Sequence, residues 1–348
     1  MLLIYLICCF LSLPNPEEIE SKIPPCPRKD FNGTYNLGFG SPRTDACSRC
    51  IELNEKVKTA DLNLKQEYIV QKRIHTLKAK AFYNLLQTNE EHVITLSFDC
   101  QKNMMLDTLP DQSAYFSRQI NFYNFTVVVG TSKSKLEKEN VFMYYWNEAE
   151  RPKGSNEISS AVFHCLKNII IPRTVDTIKL FADGCGGQNK NTTMIGMCSK
   201  FLFTYAPRSL KKIEIIFPIV GHSFLPPDRV FAKIEKTLRK KEIITDPKQY
   251  VDILQEHGTT FNLGQEVPVY DFKKECSGNL KPPVATINNV KKEKITDVTR
   301  LLSNHYGENW KNIESLKFYR NLSCRNDDAN LQEEDLLCEP IQENDKYV

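Results

Sequence analysis

Residues 176–191 read DTIKLFADGCGGQNKN, and this stretch decides the fold. Ile178, Leu180 and Ala182 alternate with other residues at the period of a strand with one buried face. The run stops on Asp183, and Gly184, Gly186 and Gly187 follow. Gln188, Asn189, Lys190 and Asn191 then open a helix. A carboxylate at the carboxyl end of a buried strand, beside a tight glycine turn, places a charge in a cleft. Asp-Gly is also an ordinary turn dipeptide. The stretch alone admits both readings.

Upstream, 92–99 (HVITLSFD), 119–129 (QINFYNFTVVV) and 140–146 (NVFMYYW) read as three strands rich in β-branched and aromatic residues. Ser155 is expected to cap a helix over 155–168. Glu157 lies in its first turn, and Ile158, Ala161, Val162, Cys165 and Leu166 share one face. Downstream, 189–205 reads as an apolar helix stopped by Ala206-Pro207. Residues 212–220 (KIEIIFPIV) follow as a strand, with Pro218 at an edge or bulged position. Pro226-Pro227-Asp228 starts a helix expected to reach Lys241.

Acids fall at the ends of these elements. Asp99 closes the first strand and Asp183 the fourth; Glu157 opens the first helix and Asp228 the last. Two Mg²⁺ held about 4 Å apart on one phosphate require several carboxylates to converge, because hard cations select carboxylate oxygens. Each acid also has an ordinary role. Asp99 can cap a strand end, as can Asp107 or Asp111, and the macrodipole favours Glu157 and Asp228 in helix first turns whatever they do. Glu235 is the rival for the last ligand. His222, in the loop before Asp228, is placed to shuttle a proton or orient water, or simply to hydrogen-bond within the loop. Gln188, Asn189, Lys190, Asn191 and Arg229 are candidate contacts to a phosphodiester backbone. Lys236, Arg239, Lys240 and Lys241 either extend that contact or form a solvated face. A nucleotide phosphate loop is disfavoured, since that pattern requires Gly at position 189 and Ser or Thr at 191.

The order of three strands, helix, strand, helix, strand, helix resembles the ribonuclease H-like fold of ribonucleases H, retroviral integrases and cut-and-paste transposases. The resemblance implies a mixed five-stranded α/β sheet, in which an antiparallel meander is extended by parallel strands through helices. It also implies a Mg²⁺ or Mn²⁺ site built from Asp99, Glu157, Asp183 and Asp228, in a four-acid arrangement or a three-acid transposase version. The segments FDCQKN (98–103), LPDQSAY (109–115), KGSNEI (153–158), DGCGGQNKN (183–191) and GHSFLPPDRVF (221–231) resemble a family of uncharacterised, transposon-like eukaryotic proteins carrying a domain of unknown function. FGSPRTDACSRC (39–50) and HYGENW (305–310) extend that resemblance. It implies a transposase-derived nuclease or polynucleotidyl transferase acting on DNA, or a catalytically inactive, domesticated remnant that binds nucleic acid or protein. It further implies that a DNA-binding part ahead of Cys47 is missing. A homo-oligomer is compatible with it.

Five regions are expected: an apolar start and linker (1–25), a Cys-containing helical region (26–90), the core (91–245), a carboxyl-terminal extension (246–322) and an acidic tail (323–348). Within the extension, 246–258 reads as a short helix, 265–272 as a strand and 291–319 as a helix-turn unit. Cys47 and Cys50 form a Cys-x-x-Cys pair able to hold zinc from a single turn. Cys26 and His75 are candidate partners, neither at the spacing of a compact finger, and a plain thiol pair is the alternative.

Hydrophobic content of 41% and charged content of 26% over 348 residues are those of a soluble globular chain, and a net charge of +3 is too small to argue for nucleic acid by itself. The tail from Asp327 holds eight acids and one lysine and is expected not to pack. Residues 1–13 are apolar, too short to span a bilayer, and lack the basic start of a signal peptide. Asn-x-Ser/Thr sites at Asn32, Asn124, Asn191 and Asn321 suit a secretory route. Cysteines inside apolar elements, such as Cys100, Cys165 and Cys198, suit a reducing one. A nuclear or cytoplasmic protein is expected, with secretion as the alternative and no membrane partner.

Overall fold

The computed structural model describes residues 47–106, 108–110, 112–274 and 290–323. The apolar start, Cys26, Asn32, Asp107, Asp111 and the acidic tail lie outside the described residues. The description therefore begins with two consecutive helices, α1 (Ser48–Thr59) and α2 (Leu62–Gln87), packed on each other. Only the last turns of α2 bury a stripe, at Ala79, Phe82 and Leu86, while Leu62, Val70 and Leu77 face solvent. None of the described helices is long and apolar enough to cross a membrane.

The sheet starts with β1 (Val93–Cys100), then β2 (Met104–Leu106), a short helix α3 (Gln112–Phe116), β3 (Ile120–Val129) and β4 (Val141–Asn147). Helix α4 (Ser155–Asn168), β5 (Thr177–Ala182), helix α5 (Thr192–Lys200) with a π turn over Phe201–Tyr205, and β6 (Lys212–Ile216) follow. Helices α6 (Pro226–Leu238) and α7 (Pro247–His257), strand β7 (Thr259–Asn262) and helix α8 (Lys292–Tyr306) follow, and short helical turns continue to residue 323.

The strand order is β6-β5-β1-β3-β4-β7, with β2 paired to β3. Strands β1, β3 and β4 form an antiparallel meander, and β5 and β6 add in parallel beside β1. This is a mixed α/β sheet. It holds seven strands where five were expected, because β2 pairs with β3 and β7 pairs in parallel with β4.

Alternation along the strands sorts the core into two layers. Leu96 and Phe98 of β1, Phe125 and Val127 of β3, and Tyr144 and Trp146 of β4 pack with α4 and α5 on one face. Phe122 and Val128 of β3 and Val141 and Met143 of β4 pack with α6, α7 and α8 on the other. On β1 the intervening residues Ser97 and Asp99 turn to the second face, against which α6 lies.

Local departures from the expected elements have physical causes. The strand expected at 265–272 is reduced to a single Leu263–Val267 bridge, because Gly264, at φ +108°, turns the chain. Val267, Val269 and Phe272 bury in the core instead. Strand β6 ends at Ile216, two residues before Pro218, which has no N–H to continue the ladder. The cap of α4 is Gly154, one residue before the expected Ser155.

Candidate metal centres

Strands β1 and β5 run parallel with Phe98 opposite Ala182, so Asp99 and Asp183 come next on adjacent strands at the same level. The sheet changes from parallel to antiparallel pairing at β1, and carboxyl ends of strands at such a position border a ligand crevice. Helix α6 crosses β1 and β3 on the second face, with Asp228 in its first turn. Burial pushes Asp99 up to about 7, and the negative charges of Asp183 and Asp228 push the same way. The Cys100 N–H, which donates to Asp99 Oδ1 at 2.7 Å, and Lys153 pull against them. Asp228 is also raised, first by burial and then by Asp183, although the Leu225 N–H donates to its Oδ2 at 2.7 Å.

Asp183 is held by Asn189, whose side-chain N–H donates to Asp183 Oδ1. Asn189 is 1% exposed, and its buried Oδ1 has no hydrogen-bond partner. The three glycines around this loop are open. A Cβ at Gly184, Gly186 or Gly187 would meet nothing within 4 Å, and none of them is at positive φ. Neither packing nor backbone conformation requires glycine here.

The other expected site residues separate into groups. Glu157 is buried in the first turn of α4. Burial raises it, while its own backbone N–H, the Gly154 N–H, Arg151 and Lys273 act against the rise. The groups that act most strongly on it are those of its own helix end and two nearby cations. Asn191 caps α5, accepting from the Met194 N–H at 3.0 Å and donating to Gly186 O at 3.1 Å, so its amide is already committed to the fold. Lys190 is exposed, with its ammonium 5.6 Å from the centre of the Phe217 ring. Gln188 is half-buried in the same turn. Arg229 follows Asp228, with Nη2 buried and unpartnered. Glu235 accepts from the Gln101 amide at 3.0 Å, close to the end of β1. Lys236, Arg239, Lys240 and Lys241 are exposed along and just beyond α6.

His222, in the loop before Asp228, joins Cys47, Cys50 and His75. The four side chains place one ligand atom each within 4.8 Å of one another, and no other described group of three or more such residues does so. His75 Nε2 lies 3.1 Å from His222 Nε2 and 3.4 Å from Cys47 Sγ, and His222 Nε2 lies 3.4 Å from Cys50 Sγ. Such a set can hold a metal ion such as zinc. Burial lowers His75, helped by His222, Arg49 and Lys78. Burial and the neighbouring Cys47 raise the Cys50 thiol.

Two participants were not legible in the sequence as such. Lys153, whose Nζ donates to Asn103 Oδ1 at 3.0 Å, is the cation acting on Asp99. The partnership of His75 with His222 spans 147 residues, and only Gly221 before His222 marks it. At φ +82°, a Cβ on Gly221 would lie 3.0 Å from Cys47 Cβ.

The family model described as Domain of unknown function (DUF7869) matches residues 126–322, and the chain belongs to this family. The match takes in Asp183, His222 and Asp228; Asp99 and the α1–α2 ligands precede it. No curated protein matches the chain, and no solved structure does.

Proposed function

We propose that the chain is a transposase-derived, metal-dependent enzyme that cleaves or joins DNA phosphodiesters, with Asp99, Asp183 and Asp228 as its cation ligands. The observation that carries this reading is that Asp99 and Asp183 follow paired residues of the adjacent parallel strands β1 and β5, with Asp228 in the first turn of α6, which packs on β1. An all-oxygen, all-carboxylate donor set suits Mg²⁺ or Mn²⁺. A divalent cation would offset the burial and the neighbouring negative charges that together raise Asp99. When bound, such ions supply activation of the attacking oxygen and neutralise charge on the phosphate.

The antiparallel meander extended by parallel strands is the arrangement expected of a ribonuclease H-like core, and it supports this reading. Glu157 turned to its own helix end favours the three-acid, transposase-type arrangement over the four-acid one. The chain's own residues would act around these ligands. Asn189 holds the Asp183 carboxylate, the glycine turn leaves open space for a phosphate backbone, and Lys190 supplies a nearby positive charge. His222 has no part in the chemistry under this reading.

A non-catalytic module that binds nucleic acid or protein is the second reading. One observation favours it: among the described residues, the aspartates do not reach the mutual spacing of the Cys/His group. Ions about 4 Å apart tolerate wider carboxylates, so the catalytic reading stands ahead. The test is cleavage and strand transfer on DNA with Mg²⁺ or Mn²⁺, beside Asp183→Ala. Activity lost in the variant supports the assignment, equal activity in both sinks it, and none in either leaves the binding-module reading.

A further inference from the structure

We propose that Cys47, Cys50, His75 and His222 bind one zinc ion whose role is structural, fastening the loop between β6 and α6 to the α1–α2 pair. The proposal goes beyond the phosphodiester reading and does not depend on it.

The first argument is metric. Around a tetrahedral zinc, with bonds of about 2.3 Å to sulfur and about 2.0–2.1 Å to nitrogen, two nitrogens stand roughly 3.3 Å apart and a sulfur–nitrogen pair roughly 3.6 Å apart. The side chains stand at 3.1 Å for the nitrogen pair and 3.4 Å for each of two sulfur–nitrogen pairs. These three edges match the tetrahedron, and all four ligand atoms lie within 4.8 Å of one another. The two Nε2 atoms can share one hydrogen bond between complementary tautomers, or direct both lone pairs at a single cation, which satisfies both rings at once.

The second argument is chemical. Two thiolates with two imidazoles select zinc among common divalent ions. Four protein ligands fill a tetrahedron and leave no open position, which is the mark of a structural rather than a catalytic site. Cys47 precedes α1 and Cys50 lies in its first turn, so both sulfurs serve one ion from one end of the helix.

The third argument is connectivity. His222 comes from a loop far along the chain, and that loop approaches so closely that only glycine fits at 221. A Cβ there would lie 3.0–3.1 Å from the Cβ, Cα and Sγ of Cys47, in a left-handed backbone conformation. Three residues on, Leu225 buries against Phe82 and Leu86 of α2 and Phe181 of β5. The loop is thus held by an apolar contact at its end and by the ligand cluster at its middle. Asp228 follows directly, so the ion would fix the start of α6.

The deciding experiment measures metal in the full chain purified without added metal, then replaces it with Co²⁺. About one zinc per chain is expected, with Co²⁺ giving the intense visible bands and sulfur charge-transfer absorption of a tetrahedral S₂N₂ site. Cys50→Ser and His222→Ala should each lose most of the ion, while Cys185→Ser, outside the cluster, retains it. Chelation should speed amide exchange across 217–225 in the wild-type chain. Substoichiometric metal, a six-coordinate Co²⁺ spectrum, or full retention of zinc by His222→Ala would overturn the proposal. Should His222→Ala fail to fold, the wild-type Co²⁺ spectrum decides the ligand set on its own.

Discussion

His75 and His222 are 147 residues apart in sequence, yet their Nε2 atoms lie 3.1 Å apart. One sits on the long α2 helix and the other in the loop leading to α6. Their meeting joins the helical pair to the part of the core that carries Asp228. The carboxylate cluster and the Cys/His cluster are therefore neighbours along one loop, each drawing together residues from distant parts of the chain.

The two kinds of glycine in these loops should behave differently. Gly221→Ala forces a side chain into a left-handed conformation beside Cys47, a change expected to cost about 1–2 kcal/mol for the backbone alone. Gly184→Ala meets open space and should stay within about 0.5 kcal/mol of wild type. Urea unfolding of both variants checks this. Equal destabilisation of the two would contradict the placement of the His222 loop.

Asp99 gives a pH signature with a defined sign. Its folded-state value of about 7 lies above the ordinary 3.8, so the folded chain holds the proton longer than the unfolded chain. Below about pH 4 both states are protonated and the group has no effect on stability. As pH rises towards about 7 the unfolded state releases its proton first and stability falls; above that the loss is constant, at most on the order of 4 kcal/mol. Without added divalent ions, wild type should lose more stability between pH 5 and pH 8 than Asp99→Asn. Parallel pH profiles would show that Asp99 is not the buried, charge-crowded group described.

Much of the core was legible in the sequence because its signals are local. The aromatic and β-branched runs gave β1, β3 and β4, and the alternation before Asp183 gave β5. Asp99 and Asp183 fell at strand ends that the register then set side by side. What was not legible depended on distant packing. Strand β7 is a four-residue segment defined by its pairing with β4. Glu157 looked the same as a ligand or a cap, since an acid in a first helical turn suits either. His222 had neighbours in sequence that pointed to Asp228, while its neighbours in space are Cys50 and His75.

Asn189 is the support for Asp183. Asn189→Ala removes a hydrogen bond to a carboxylate, with an expected loss of about 1.5–3 kcal/mol if that carboxylate is charged. The same variant should weaken Mn²⁺ binding, because Asp183 loses its fixed orientation. Unchanged stability together with unchanged Mn²⁺ affinity would remove Asn189 from the site.

Lys190 and Asn191 are adjacent but should separate cleanly. Asn191→Ala removes the cap of α5 and should cost about 1 kcal/mol of stability, with the salt dependence of DNA binding unchanged. Lys190→Ala should leave stability intact and reduce the slope of log affinity against log salt by about 1. Binding titrations at several salt concentrations distinguish them. A slope change in Asn191→Ala alone would reverse the assignment.

The central claim is that Asp99, Asp183 and Asp228 together form a divalent-cation site. Calorimetric titration of Mn²⁺ into the zinc-loaded chain, beside Asp99→Asn and Asp183→Asn, measures it directly. The account predicts Mn²⁺ binding in wild type that each substitution weakens at least about tenfold, equivalent to about 1.4 kcal/mol. Binding of equal strength in all three proteins, or none in wild type, would contradict it.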